Sequence, residues 1–143
     1  MKKNVTCGIL LHTRDGYLLC HPTGRPKESG CYDIPKGMKE PGETEWECAV
    51  REMREETGLE ITAENTVYTA NMGRHPYNSK KDIHLFCCEI PDVDVESLAC
   101  TSMVEELGIP EVDDWLVTED LGMCFRSLVK VFGECGIPLH GKV

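Results

Sequence analysis

The sequence is short of positive charge: 15 Lys and Arg stand against 25 Asp and Glu, a net charge of −10. That deficit argues against duplex nucleic acid as a partner, because no excess of cations exists to displace its counterions. Small anionic substrates stay compatible where a metal ion or a local basic patch offsets the field. No stretch approaches the roughly 20 apolar residues of a membrane span, so no membrane partner is expected. The opening MKKNVTCGILLHTRD imitates a signal peptide only briefly. Its apolar segment is short, runs into His12, Arg14 and Asp15, and lacks a small-residue cleavage site. It reads as a first strand. The nine cysteines contain no CxxC, and their spacing with the histidines fits no common zinc motif. They read as small buried hydrophobes of a reduced, cytoplasmic protein. The adjacent Cys87 and Cys88 would point to opposite faces of a strand, a poor geometry for a mutual disulfide. There is no GxSxG nucleophile motif, no repeat and no low-complexity segment. No motif specifies an oligomer.

What is present fits one domain over residues 1–143 with one core. Val5 to Thr13 reads as a strand, Arg14-Asp15-Gly16 as a turn and Tyr17 to Cys20 as its hairpin partner. His21 to Gly30 is a polar loop whose Arg25 and Lys27 read as solvated cations. Cys31 to Pro35 is extended, since Pro35 biases Ile34 away from the helical region. Lys36 to Glu43 reads as a shaped loop. Thr44 with Glu47 makes a capping box, so a helix begins there and stops at Gly58. Within it Trp46, Val50, Met53 and Thr57 are expected to face the core. Asn65 to Met72 and Asp82 to Ile90 are expected strands around a Gly73–Lys81 loop. Leu98 to Val104 is a weaker, edge-type candidate, and Trp115 to Val117 a last strand. Phe125, Leu128, Val129 and Phe132 pattern a second amphipathic helix ending near Gly136.

The first helix carries the chemistry. Glu52, Glu55 and Glu56 stand at i,i+3 and i,i+4 spacing, so their carboxylates converge. They lie towards the C-terminal half, where the helix dipole disfavours negative charge. A run of acids is often only a solvated face. Here it follows a glycine loop whose carbonyls aim at the same place. Oxygen-rich sites of this kind suit hard divalent cations such as Mg²⁺ or Mn²⁺.

Gly37, Glu43, Arg51-Glu52, Glu55-Glu56 and Gly58, with Met53 and Leu59 apolar, resemble the Nudix box GX5EX7REUXEEXGU at every fixed position. The resemblance covers residues 37–59. It implies an α/β/α sandwich around a mixed sheet, and hydrolysis of a nucleoside diphosphate linked to another moiety, with Mg²⁺ or Mn²⁺. It implies metal ligation by Glu52, Glu55 and Glu56 with the Gly37 carbonyl. It also implies that Glu43 and Arg51 form a structural pair. The general base varies across the family. Here it is a box glutamate, foremost Glu52, or a later residue among Glu105, Glu106 and Glu111.

Arg74, His75, Lys80, Lys81 and His84, with Tyr77 among them, make a cationic island in an acidic chain. Arg74, Tyr77, Lys80 and Lys81 are the candidates for holding phosphates and stacking a base; the alternative is a solvated hairpin tip. The DIPKG stretch before the box, and the pattern after it, resemble small Nudix proteins acting on nucleoside or dinucleoside polyphosphates. The expected reaction is water attack on phosphorus in such a small-molecule nucleotide. ADP-ribose or ADP-sugar hydrolysis is the alternative, and a non-catalytic nucleotide sensor the third reading. Trp46 reads as core; Trp115 reads equally as core or as a base-stacking residue.

Overall fold

The computed structural model describes residues 3–140. The chain begins with β1 (Asn4–Thr13), a near-continuous apolar run. Such a run suits a strand covered on both faces, and β1 lies in the middle of a six-stranded sheet. A tight turn leads to β2 (Gly16–Pro22), antiparallel to β1 from Thr13↔Gly16 onwards. β3 (Lys36–Met38) pairs with the other end of the same β1 edge, at Cys7↔Gly37. The segment between is held to β2 by Cys20 and Asp33, whose backbone groups bond at 2.7 and 2.9 Å. Tyr32 to Met38 is thus wedged where β1 and β2 part.

Helix α1 (Glu45–Thr57) follows, then β4 (Tyr68–Pro76) and β5 (Lys81–Glu89). β5 runs parallel to β1, and β4 is its antiparallel outer neighbour. Two-residue strands β6 (Met103–Val104) and β7 (Ile109–Pro110) form a separate small hairpin. β8 (Val112–Thr118) pairs with β2, giving the order β4-β5-β1-β2-β8. Helix α2 (Arg126–Glu134) closes the fold.

Alternation along the strands divides the core. Cys7, Ile9 and Leu11 of β1 and Phe86 and Cys88 of β5 meet Cys48, Ala49 and Met53 of α1. Leu10, Ile83 and Leu85 point the other way, onto Leu128, Val131 and Phe132 of α2. The result is the expected α/β/α sandwich around a mixed sheet. Cys87 and Cys88 fall on opposite faces, and all nine cysteines are free thiols. No described helix is long and apolar enough to cross a membrane.

Several elements differ from the sequence expectation. Gly37 is in a short strand, because β1 has an unpaired edge there that its backbone can satisfy. β4 runs on through Gly73 to Pro76, absorbing the glycine as an irregularity between Asn71 and Arg74. Arg74 and His75 are therefore strand residues. Leu98 to Val104 is mostly irregular. Its backbone docks on the end of α1 instead, where Ala99 N–H donates to Thr57 and Thr101 N–H to Glu55, at 3.0 and 2.7 Å. The buried stripe of α1 is Cys48, Ala49, Glu52, Met53, Glu56 and Thr57, so it includes two of the glutamates. Trp46 and Val50 lie at its partly exposed margin. Apolar spacing alone turned the helix too far, because it gave the acids no reason to face inwards.

Candidate active site

Helix α1 starts on a reciprocal cap. Glu47 N–H donates to Thr44 Oγ1 at 3.1 Å, and Thr44 N–H to Glu47 Oε1 at 2.8 Å. It ends at Gly58, whose φ of 81° only glycine adopts without strain, with its N–H donating to Arg54.

Arg51 gathers the acids. Its Nε and Nη2 donate to the two oxygens of Glu43 at 3.1 and 2.8 Å, a bidentate grip. Nη2 also donates to the Met38 carbonyl at 3.1 Å, tying the 38–43 loop to the helix. Nη1 donates to Glu52 Oε2 at 2.9 Å and Glu55 Oε2 at 3.2 Å. Hydrogen bonds from Arg51 hold the Glu43 carboxyl down at about 2.

Glu52 and Glu56 are 9% and 6% exposed. Burial raises the pKa of Glu52, with Glu56 and Arg51 pulling it back down. Burial pushes Glu56 up to about 10, helped by a hydrogen bond to Glu52 and by the charges of Glu52 and Asp33. With no cation bound, the Glu56 carboxyl therefore keeps its proton at neutral pH. Gly37 lies against Glu52: a Cβ at this position would overlap its carboxyl group. The Gly37 carbonyl accepts from Cys48 Sγ at 3.4 Å, which ties β3 to the start of α1.

Among the described residues no three His, Cys, Asp or Glu groups are already drawn together as a ligand set. Arg51 is the cation between Glu52 and Glu55. The donor chemistry still fits a hard divalent ion. Carboxylates are concentrated, burial raises the Glu52 and Glu56 carboxyls so that a bound cation would restore their ionised forms, and the position against Glu52 is a glycine.

The other expected residues are placed less uniformly. Glu105, Glu106 and Glu111 are all exposed. The first two form the β6–β7 tip, and their hairpin is tied to the Glu55 carbonyl through Thr101 and Ser102. Arg74 Nε donates to Asp82 Oδ2 at 2.8 Å, and Lys3 pairs with the other Asp82 oxygen at 2.8 Å. The cationic island is thus divided: Arg74 shares the Asp82 carboxylate with Lys3, Lys80 is exposed at the tip, and Tyr77 and Lys81 lie inward. Trp115 Nε1 donates to the Glu56 carbonyl at 3.1 Å, making it a support of the helix end. Trp46 packs edge-on against Phe86. Of the loop cations, Lys27 pairs with Asp114 at 3.1 Å and Arg25 stands over Phe125. Sequence reasoning missed Asp33 and Lys36, an ion pair of 3.0 Å directly before Gly37. Their signal was two opposite charges bracketing Pro35 next to the box glycine. A groove of about 570 Å³ lies on the outer face of α1 between Pro41 and Arg54. The glutamate pair lies on the inner face.

The family model described as the NUDIX domain matches residues 2–121. The chain belongs to the Nudix family. An RNA pyrophosphohydrolase of Erythrobacter litoralis (strain HTCC2594) is 32% identical over 76 residues, 53% of this chain and 43% of that protein. Among solved structures, a bifunctional NMN adenylyltransferase/ADP ribose pyrophosphatase of Francisella tularensis, complexed with AMP and a manganese ion, superposes with a TM-score of 0.62. It is 17% identical and covers 94% of this chain and 42% of its own. An Ap4A hydrolase of C. elegans gives 0.55 at 19% identity, covering 92% of this chain and 86% of its own. The chain thus spans less than half the length of the Erythrobacter and Francisella proteins. At these identities the structures establish the shared Nudix fold.

Proposed function

We propose that this Nudix domain hydrolyses a pyrophosphate bond in a nucleoside polyphosphate or dinucleoside polyphosphate. The observation that carries the reading is the buried Glu52–Glu56 pair, with Glu52 pressed against Gly37 and burial raising both carboxyls. Glu52, Glu55, Glu56 and the Gly37 carbonyl are the proposed holders of Mg²⁺ or Mn²⁺, which would supply charge neutralisation at the phosphates. Arg51, anchored by Glu43, fixes the loop and orients Glu52 and Glu55. Water attacks phosphorus as the bond to the leaving phosphate oxygen breaks, and a carboxylate takes the water proton. Glu52 is the foremost base: it lies against the Gly37 backbone, and burial raises its pKa and so strengthens it as a proton acceptor. Glu105, Glu106 and Glu111 remain the alternatives, on loops tied to or following the same helix end. Arg74, Tyr77, Lys80 and Lys81 are the proposed substrate contacts, Arg74 being held in place by its bond to Asp82.

The test is a panel of ATP, dGTP, diadenosine polyphosphates and ADP-ribose, with products identified by mass in ¹⁸O-labelled water. Metal-dependent turnover of a polyphosphate, with label in one product phosphate and activity lost in Glu56→Gln, is expected. Full activity in excess EDTA would overturn the reading. Preferred turnover of ADP-ribose would replace the substrate class. Tight nucleotide binding with no product under either metal would make the domain a sensor.

A further inference from the structure

At the end of the sheet remote from Gly37, one lateral row crosses the strands. Tyr68 of β4 pairs with Glu89 of β5, Glu89 with His12 of β1, and His12 with Tyr17 of β2. Residues paired in this way share a face of the sheet. It is the α2 face, since Leu10 and Cys87, two positions back along β1 and β5, belong to that core. A hollow of about 220 Å³ lies over the row, and Leu10, Cys87 and Ile137 add its apolar lining. Its charge is of one sign. No lysine or arginine lines it, and Glu89 is half-buried with no ion pair among the described residues. Glu119 brings a second carboxylate beside the row, against His12 Nε2 at 3.3 Å. Burial, then the neighbouring Cys87 and Glu119, raise the pKa of Tyr17, so its ring stays a neutral phenol. A carboxylate without a counter-ion, set between two electron-rich rings, is the complement of an organic cation. The row is also separate from the glutamates of α1. From Cys7, the partner of Gly37, to His12 is roughly 17 Å along β1, and Cys7 points to the opposite face.

We infer that this hollow binds a small organic cation of the quaternary ammonium class, held by Glu89 between the rings of Tyr17 and Tyr68. The site is independent of the hydrolase reading. A nucleotide would meet carboxylates only, and a hard metal ion would find too few oxygen ligands among rings and aliphatic groups. A primary amine brings three N–H groups that need acceptors, whereas a quaternary nitrogen brings none. Its methyl groups lie on the rings and on Leu10 and Ile137, and its charge faces Glu89. The volume corresponds to about seven water molecules, hence to a ligand of about seven heavy atoms, the size of choline. Tyr68 is 57% exposed, so a ligand beneath its ring also removes apolar surface from water.

The test is an NMR titration of the whole chain with choline, and with the uncharged alcohol in which carbon replaces its nitrogen. Salt at about 0.15 M screens the general attraction of an acidic chain for cations. Choline is expected to saturate in the millimolar range or below, shifting the amides of His12, Tyr17, Tyr68 and Glu89 and leaving those of Gly37 and Glu56 in place. It should bind about tenfold more tightly than the uncharged alcohol, within the range of cation–ring contacts. Glu89→Gln should weaken choline about tenfold and leave the alcohol little changed. Tyr17→Leu and Tyr68→Leu keep apolar bulk without the ring and should each weaken choline severalfold. Glu89 and Tyr68 are partly or largely exposed, so their variants remain informative if Tyr17→Leu fails to fold. No saturation by about 50 mM, equal affinity for the uncharged alcohol, wild-type affinity in Glu89→Gln, or shifts centred on the glutamates of α1 would each overturn the site. Turnover does not enter the measurement, so the site and the hydrolase reading stand or fall separately.

Discussion

Replacing Glu56 by Gln should stabilise the metal-free protein, and by an amount that grows with pH. Unfolded, this carboxyl has its ordinary pKa of 4.5; folded, it holds its proton up to about 10. Between those values the folded chain binds more protons than the unfolded one. Its contribution to stability is therefore fully present below pH 4.5 and is lost as pH rises towards 10. From 4.5 to pH 7, at about 1.4 kcal/mol per pH unit, the loss amounts to about 3 kcal/mol. Glutamine keeps the shape and carries no charge at any pH. The advantage of the variant should be near zero at pH 4.5 and about 3 kcal/mol at pH 7, or roughly 6–12 °C in Tm. Urea unfolding of both proteins in EDTA at pH 5, 7 and 9 measures this, with unchanged m-values confirming that only stability moved. Using the difference between the two proteins cancels carboxylates that titrate oppositely, such as Glu43. Added Mg²⁺ should then stabilise the wild type more than the variant and release protons. A pH-independent difference, or a wild type more stable than the variant at pH 7, would refute the buried-proton argument.

Other substitutions separate the parts of the site. Gly37→Ala should cost about 2 kcal/mol or more and most metal-dependent activity, because the new methyl meets the Glu52 carboxyl; thermal melts with a metal titration would show it, and a wild-type melt would contradict it. Arg51→Lys should lose about 2 kcal/mol in chemical unfolding, since lysine cannot keep the fork on Glu43 while reaching Glu52 and Glu55. The pairing of Glu43 adds stability above its ordinary value of 4.5 that disappears as pH falls through about 2; Glu43→Gln should flatten that acid limb. Trp115→Phe should lower stability by about 1 kcal/mol, leaving the Glu56 carbonyl without its indole donor; an unchanged melt would remove Trp115 from the support of the helix end.

The first hairpin, the capped helix and the second helix were legible because each is specified locally, by turn residues, by Thr44 with Glu47, and by apolar spacing. The strands after α1 were less so. β4 extends through a glycine because β5 offers it partners, and Leu98 to Val104 forgoes a strand because free carbonyls at the end of α1 accept its N–H groups. The carboxylate cluster was legible as a pattern of residues, but its inward orientation was not. Spacing places Glu52 and Glu56 together on a helix; it does not say which way the helix turns.

The sequence by itself determined the Nudix box, the helix limits and the alternation that sorts the two cores, since these depend on neighbours within a few positions. Only the tertiary structure decided the electrostatics. It buried Glu52 and Glu56, pressed Glu52 against Gly37, paired Arg74 and Lys3 with Asp82, and brought Lys36 and Lys81 to the Tyr77 ring from strands 45 residues apart in the chain, 36 to 81. Charge interactions depend on distance and on exclusion of water, and both are set by the packing of segments remote in sequence.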